Sequence, residues 1–241
     1  MDVMQATYET AKELVWPTRC AVCDEPGFVL CEECAANLRF IDLCHACKKC
    51  GASGGKVQCT ECNDIMVLAN GFAEYPLDQF RSCCILNEDA RKIITAYKDR
   101  TELRLAPVIA KIMARYFEPA WIQKNALITY VPSSKEALVR RGFSHMGKIA
   151  KELSLLTNLE TECVFEALAT NDQRELGRKE RVVNMASKFK VRKGLQIPHA
   201  CPIVVIDDVS TTGATIMCAA NALKRAGYET VYGLSFARVM N

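Results

Sequence analysis

The chain has 241 residues, of which 50% are hydrophobic and 24% charged, so it can form a core and is too apolar to be intrinsically disordered. Lysine and arginine number 31 and aspartate and glutamate 28, a formal net charge of +3, which argues against a uniformly basic nucleic-acid coat protein or a membrane-surface binder. No apolar run approaches the roughly 18 residues that a membrane helix needs, and the amino terminus lacks the hydrophobic region of a signal peptide. We therefore expect a cytoplasmic protein.

The 14 cysteines are concentrated near the amino terminus, where nine of them lie between Cys20 and Cys62. The others are scattered without C-x-x-C spacing: Cys83, Cys84, Cys163, Cys201 and Cys218. This distribution predicts a cysteine-rich domain over residues 1–70 and a second domain over residues 71–241. Because the cytoplasm is reducing, closely paired cysteines there are more often metal ligands than disulfides.

Eight of the clustered cysteines form four C-x-x-C knuckles. They are Cys20 with Cys23, Cys31 with Cys34, Cys47 with Cys50, and Cys59 with Cys62. Two knuckles place four thiolates around one tetrahedral metal ion, so the eight cysteines can hold two structural zinc ions. Zinc would also explain how a segment with few large apolar residues folds. An iron–sulfur cluster, disulfides and free thiols are the alternatives.

The pairing of the knuckles stays open, because sequential and cross-braced arrangements use the same spacings. Cys44 could replace Cys47 or Cys50 as a ligand. His45 is a further candidate, although a single histidine is more often exposed to solvent than bound to metal. A site closed by four cysteines has no open coordination position. We therefore expect this domain to be structural or to bind a partner, and not to catalyse a reaction.

Strands and helices alternate in the second domain. The apolar pattern predicts helices over residues 105–116, 146–156 and 214–226, and strands over residues 127–131, 203–206 and 231–239. The run Ile203–Ile206 is continuously β-branched, which is typical of a strand buried on both faces of a parallel sheet. This order predicts an α/β fold with an open, mostly parallel sheet, whose ligands bind at the carboxyl ends of the strands.

The most informative segment is Asp207-Asp-Val-Ser-Thr-Thr-Gly-Ala-Thr215, directly after a predicted buried strand. Two carboxylates at a strand end can accept hydrogen bonds from a vicinal diol, and the following hydroxyls, backbone N–H groups and helix N-terminus can bind a phosphate. The segment has neither the lysine of a P-loop nor a G-x-G-x-x-G pattern. A ribose phosphate is the ligand that fits. The alternative is an ordinary turn in which Ser and Thr only cap the helix.

This segment closely resembles the phosphoribosyl pyrophosphate signature of type I phosphoribosyltransferases, and the chain resembles the ComF family nearly from end to end. In that family cysteine knuckles precede such a domain. The resemblance also rests on shorter motifs in the same order: Leu14-Val-Trp-Pro17, Cys47-Lys-Lys-Cys50-Gly51, Ala96-Tyr-Lys98, Val131-Pro132, Arg141-Gly-Phe143, and Q-x-x-L-x-R-x-x-R-x-x-N over Gln173–Asn184. It implies a type I phosphoribosyltransferase fold behind a zinc-ribbon or zinc-finger-like domain, and a role in DNA uptake during natural competence.

The resemblance implies roles for individual residues. Asp207 and Asp208 would bind the ribose hydroxyls of phosphoribosyl pyrophosphate and serve as the catalytic carboxylates. The 5′-phosphate would be bound by Ser210, Thr211, Thr212, Gly213 and Thr215. Lys98 would meet the pyrophosphate, and a mobile loop carrying Arg140, Arg141 and His145 would close over it. The loop departs from the family pattern, since Ser133-Ser134 replaces a second Val-Pro and Ser144-His145 stands where Asn-Gln is common.

If the domain is catalytic, a nucleophile displaces pyrophosphate from C1 of the ribose while positive charge develops on the sugar. Mg²⁺ would bridge substrate oxygens and be held largely by substrate and water. No residue of the sequence identifies the nucleophile, so the acceptor and turnover itself stay open.

A binding module on the same fold is the competing interpretation. Residues 174–193 carry eight basic and two acidic side chains, which could follow a single-stranded DNA backbone. The basic residues are Arg174, Arg178, Lys179, Arg181, Lys188, Lys190, Arg192 and Lys193. Phe189 is the only aromatic residue there, which argues against a base-stacking platform, and the alternative is a solvated face. Competence association further implies a helicase-like ATPase partner, which the cysteine-rich domain would bind.

Overall fold

The computed structural model describes residues 17–166 and 189–240. The helices are α1 (Glu32–Ala36), α2 (Asp64–Ala69), α3 (Glu88–Lys98), α4 (Leu105–Ala114), α5 (Pro119–Gln123), α6 (Lys135–Arg141), α7 (His145–Thr157) and α8 (Ala214–Arg225). The strands are β1 (Gln79–Ile85), β2 (Leu127–Tyr130), β3 (Ile203–Ser210) and β4 (Val231–Arg238). Within these ranges, no helix is long and apolar enough to cross a bilayer.

The four strands form one sheet in the order β1-β4-β3-β2, and every neighbouring pair is parallel. Ile203 of β3 lies opposite Leu127 on one side and Val231 on the other. All eight residues of β4 are buried. The prediction of an α/β fold with a parallel sheet is therefore confirmed.

Helices cover both faces of the sheet. Alternate side chains of each strand point to opposite faces, so each face packs its own set of apolar residues against helices. One face packs Val204 and Ile206 against residues of α4 and α7 such as Ile109 and Leu153. The other face packs Val205 against α8 and the neighbouring strands. With both faces covered, a ligand would reach the sheet at the strand ends, and the carboxyl end of β3 carries the two predicted carboxylates.

Six of the observed elements match predicted ones within a few residues: α4, β2, α7, β3, α8 and β4. Strand β1 and helix α3 were not predicted. Asn87 caps α3 by accepting a hydrogen bond from the backbone N–H of Ala90, and Lys98 lies in the last turn of this helix.

The cysteine-rich segment is attached to the free edge of β1 by main-chain hydrogen bonds. Ile41 donates to the carbonyl of Cys83 at 2.9 Å, and Ile85 donates to the carbonyl of Arg39 at 2.8 Å. The short stretch around Phe40 therefore pairs with β1 in the antiparallel direction. The cysteine clusters are consequently held beside the sheet.

Candidate functional site

The eight knuckle cysteines form two clusters that follow the chain order. Cys20, Cys23, Cys31 and Cys34 make the first cluster, and Cys47, Cys50, Cys59 and Cys62 make the second cluster. Within each cluster all ligand sulfur atoms lie within 4.8 Å of one another. Four convergent sulfur atoms fit the tetrahedral donor set that structural zinc prefers. Each cluster could hold one zinc ion, and the arrangement is sequential.

The two neighbouring candidates lie outside these clusters. Cys44 is exposed, and its backbone N–H donates to Asp42. His45 Nδ1 lies 2.7 Å from the carboxylate of Asp42. The described clusters are thus built from C-x-x-C cysteines only.

The carboxyl end of β3 carries a buried pair of carboxyl groups, since Asp207 and Asp208 are 9% and 8% exposed. Asp208 forms an ion pair with Lys98 at the end of α3. His145, the first residue of α7, places Nε2 at 2.9 Å from the same carboxylate oxygen. Asp207 accepts a hydrogen bond from the backbone N–H of Asp208 at 3.0 Å. Three separate elements therefore meet at this strand end.

The two aspartates differ in charge because their surroundings differ. Burial raises the pKa of Asp207 to about 8, and the negative charge of Asp208 adds to this effect. Burial alone would also raise the pKa of Asp208, but the hydrogen bond from His145 and the charge of Lys98 outweigh it and lower this pKa to about 2. Near neutral pH, the pair therefore carries one negative charge, on Asp208, and Asp207 holds a proton.

His145 is held in place from three sides. Its Nδ1 lies 3.1 Å from the Ser133 hydroxyl, and its backbone carbonyl accepts a 2.6 Å hydrogen bond from the Tyr97 hydroxyl. A neutral imidazole that donates from Nε2 to Asp208 can accept from Ser133 at Nδ1. The sequence motifs did not predict this network, because nothing in the spacing links Ser133 or His145 to Asp208.

The loop between β3 and α8 combines several features of an anion site. The hydroxyl oxygen of Ser210 is buried and has no hydrogen-bond partner among the described residues. Thr211 and Thr212 are exposed. Gly213 has a φ of +74° and caps α8 without a side chain. The backbone N–H of Ala214 donates to the Thr212 hydroxyl at 3.4 Å, and the following N–H groups of the first turn can bind a ligand. A left-handed residue at this point favours glycine.

The structure brings several predicted residues together. Lys98, Asp207 and Asp208 meet at the end of β3, and Thr215 lies in the first turn of α8. The guanidinium of Arg141 lies 3.4 Å from the carboxylate of Asp99, the residue after Lys98. Arg140 occupies the same helical turn as Arg141, and its side chain is exposed.

The expectation that Arg140, Arg141 and His145 lie on a loop is wrong. Both arginines belong to the last turn of α6, which Ser134 caps and Gly142 ends in a left-handed conformation. His145 begins α7 and is buried against Asp208. A serine cap at each helix start and a glycine between the helices give this segment a helix–turn–helix course.

Part of the predicted site lies outside the described residues. This applies to Leu14-Val-Trp16, to the Gln173–Asn184 motif, and to the basic residues Arg174, Arg178, Lys179, Arg181 and Lys188. The remaining basic residues of that segment, Lys190, Arg192 and Lys193, are exposed.

No protein-family model matches the chain. The chain is 33% identical over 106 residues to the DNA utilization protein YhgH of Shigella flexneri, an alignment that covers 43% of this chain and 45% of that protein. It therefore spans less than half the length of that relative. It is 22% identical over 204 residues to the competence protein ComFC of Bacillus subtilis (84% of this chain, 81% of that protein). It is 23% identical over 213 residues to ComFC of Streptococcus pneumoniae (87% of each).

The order of elements along the chain is the one that the family resemblance implies. Cysteine knuckles in two clusters come first, and a parallel α/β sheet with a buried Asp-Asp pair at a strand end follows. The resemblance to the ComF family is therefore supported by ComFC proteins that align over more than four fifths of the chain.

Proposed function

We propose that this protein binds phosphoribosyl pyrophosphate with Mg²⁺ at the carboxyl end of β3, on a type I phosphoribosyltransferase fold, and that it acts in DNA uptake. The observation that carries the proposal is the buried Asp207–Asp208 pair followed by the buried hydroxyl of Ser210, which has no hydrogen-bond partner within residues 17–166 and 189–240. The carboxyl groups that would bind a diol and the hydroxyl that would bind a phosphate thus lie within three residues of each other in sequence.

The ribose would bind at the two aspartates. Asp208 is ionised and can accept hydrogen bonds from a hydroxyl, although it already interacts with Lys98 and His145. Asp207 holds a proton near neutral pH and can both donate and accept. Such a pair suits a vicinal diol, whose two hydroxyls also donate and accept.

The 5′-phosphate would bind at the start of α8. Ser210, Thr211, Thr212 and Thr215 contribute hydroxyls to this segment, and the N–H groups of a first helical turn are natural partners of an anion. A Cβ added at Gly213 would make ordinary van der Waals contacts, with Met217 Sδ and Ser210 Oγ nearest at 3.8 Å. Glycine is therefore favoured here for its left-handed backbone conformation and not for a lack of space.

The pyrophosphate would lie toward Lys98, Arg140 and Arg141. Lys98 can move from Asp208 to a more highly charged anion, because it is a flexible point charge. Mg²⁺ would be bound mostly by substrate oxygens and water near Asp207 and Asp208, where it would neutralise the charge of the leaving pyrophosphate.

A transfer reaction at this site would break the bond between ribose C1 and a pyrophosphate oxygen and form a bond from C1 to an acceptor. Asp208 is placed to stabilise the positive charge that develops on the sugar, since a fixed charge in a buried site acts strongly on a transition state. Lys98 and the arginines would hold the departing pyrophosphate. We assign no acceptor.

Calorimetric titration with phosphoribosyl pyrophosphate and Mg²⁺ tests the proposal. We expect the wild type to bind, and the double variant Asp207→Asn/Asp208→Asn to bind at least about tenfold more weakly, because each substitution removes an acceptor from a buried diol site. Glu229→Gln, an exposed substitution near the amino end of β4, is the matched control and should bind like the wild type. Absence of binding by folded wild type with metal-loaded clusters would reject the ligand.

A second candidate function is contact with single-stranded DNA. The names of the relatives, competence protein and DNA utilization protein, favour it, as does the basic segment of residues 174–193. We propose in addition a helicase-like ATPase as partner, bound by the cysteine-rich segment, and a cytoplasmic location, where thiols stay reduced for metal binding.

Salt dependence separates DNA binding from a merely solvated basic face. Affinity for single-stranded DNA should fall steeply between about 50 and 200 mM salt, because binding releases counterions from the phosphates. Replacement of Arg178, Lys179 and Arg181 by Glu should weaken binding, and the same reversal at Lys111, Lys124 and Lys148 tests whether position matters. An affinity for single-stranded DNA that does not depend on salt concentration, or that falls equally in both triple variants, would contradict a role for this segment.

A further inference from the structure

A buried arginine connects the second cluster to the candidate anion site. Arg238, the last residue of β4, is 4% exposed. Its guanidinium donates to the carbonyl of Cys50 at 2.7 Å and forms an ion pair with Glu61. Cys50 is a member of the second cluster, and Glu61 directly precedes its member Cys62. One side chain therefore contacts both knuckles of this cluster.

The first knuckle of the second cluster is also fixed to the sheet by main-chain contacts. The backbone N–H of Phe80 in β1 donates to the carbonyl of Lys49 at 2.9 Å. A Cβ added at Gly51 would lie 2.6 Å from the Phe80 carbonyl oxygen, so the backbone of this turn packs directly on β1. Movement of the knuckle would consequently be transmitted to Phe80.

The same two residues contact the loop between β3 and α8. The guanidinium of Arg238 lies over the Phe80 ring at 5.6 Å, and that ring is 4.0 Å from the Cβ position of Gly213. In the sheet, Arg238 lies opposite Ser210. The backbone N–H of Val239 donates to the Ser210 carbonyl at 2.9 Å. Arg238 and Phe80 therefore contact the residues around the buried Ser210 hydroxyl.

Electrostatic attraction stabilises Arg238 in this position. Four thiolates around a divalent metal ion would carry an excess of negative charge, and Arg238 contacts the Cys50 carbonyl of this cluster with Glu61 as its ion-pair partner. Loss of the metal would release the knuckles and remove the charge and carbonyl that hold the guanidinium. The first cluster has different neighbours. Ala21 and Val22, which lie between its members Cys20 and Cys23, pack against the core between the sheet, α4 and α7.

We propose that Arg238 is a positioning residue that couples metal occupancy of the second cluster to the conformation of residues 210–213. Loss of the second metal ion would loosen the loop, whereas loss of the first would leave it ordered. The consequence for ligand affinity rests on the proposed function. The coupling itself concerns only the loop and the cluster, and it can be measured without any ligand.

Hydrogen–deuterium exchange of the full-length chain, read from peptides that cover residues 207–215, tests the coupling. Cys59→Ser and Cys23→Ser are matched variants, one in each cluster, and elemental analysis establishes that each has lost one zinc ion. We expect exchange in the loop to accelerate about tenfold in Cys59→Ser and to stay at the wild-type rate in Cys23→Ser, since a buried hydrogen bond to a charged group is worth about one order of magnitude. Equal exchange in the two variants would overturn the proposal.

A second variant keeps the test decisive if Cys59→Ser unfolds. Arg238→Met preserves much of the side-chain volume but removes the contacts with Cys50 and Glu61. It should accelerate loop exchange and also release one of the two zinc ions to a chelating dye several-fold faster than the wild type. Arg104→Met, at an arginine that contacts Thr18 near the first cluster, should leave the loop unchanged. If the rates of loop exchange and metal release in Arg238→Met equal those of the wild type, the coupling is rejected.

The same samples separate this inference from the proposed function. If loop exchange responds to the second cluster but the wild type does not bind phosphoribosyl pyrophosphate, the coupling is supported and the ligand is wrong. If the wild type binds phosphoribosyl pyrophosphate and Arg238→Met shows unaltered affinity and loop exchange, the ligand is supported and the coupling is wrong.

Discussion

Replacing Asp207 with asparagine should raise the free energy of unfolding by about 3 kcal/mol more at pH 8 than at pH 5, relative to the wild type. Burial and the charge of Asp208 raise the pKa of Asp207 from its ordinary value of 3.8 to about 8. Between these values the folded protein holds a proton that the unfolded chain has lost, so wild-type stability falls as the pH rises. An asparagine does not titrate, and its side-chain oxygen can still accept the hydrogen bond from the Asp208 backbone N–H.

Urea unfolding of both proteins at a series of pH values between 5 and 8 measures this difference. Both proteins contain the same cysteine clusters, so pH effects on metal binding cancel in the comparison. Glu229→Gln, an exposed acid replaced by its amide, should follow the wild-type pH dependence. If Asp207→Asn changes the free energy of unfolding by the same amount at every pH, the Asp207 carboxyl group is not the reason why wild-type stability falls as the pH rises.

Replacing Lys98 with methionine should destabilise the protein by about 2–3 kcal/mol at pH 7, because it leaves the buried carboxylate of Asp208 with His145 alone. Removal of one partner from a fully buried ion pair costs about 3–5 kcal/mol, and the Lys98 side chain is 21% exposed, so we expect a smaller loss. The pKa of Asp208 is lowered to about 2 in the wild type. The stabilisation is therefore present above the unfolded value of 3.8, and the difference between the proteins should disappear as the pH falls toward 2.

Two comparisons isolate the interaction between Lys98 and Asp208. Lys92→Met, on the same helix, removes an exposed pair with Glu88 and should change the stability far less than Lys98→Met, because solvent screens exposed pairs. Asp208→Asn introduced into Lys98→Met should recover most of the lost stability, since no buried charge then remains. If Lys98→Met is as destabilising in the Asp208→Asn background as in the wild type, the loss comes from packing and not from charge.

The loop at the candidate site was predictable because its signals are local. The continuous β-branched run of β3, the adjacent Asp207-Asp208, and the helical spacing of α8 all lie within some twenty residues. Each signal depends on neighbours in sequence, so strand, loop and helix followed from the pattern.

Strand β1 was missed because its sequence, Gln-Phe-Arg-Ser-Cys-Cys-Ile, contains a single β-branched residue. Its conformation comes from pairing with β4, where the hydroxyls of Ser82 and Ser235 meet at 2.8 Å. The placement of Arg140 and Arg141 on a loop failed for a different reason. The expectation came from a resemblance, while the local caps of α6 favour a helix.

The sequence by itself determined the α/β alternation, the four C-x-x-C knuckles and the Asp-Asp segment at a strand end, since these are patterns of near neighbours. Only the tertiary structure decided the sequential pairing of the knuckles, because the spacings permit more than one arrangement. It also decided the partners of the buried charges. His145 and Asp208 are 63 residues apart, and Arg238 and Cys50 are 188 residues apart. Such contacts depend on how the helices and strands pack together, and that packing brings the site and the second cluster into one connected structure.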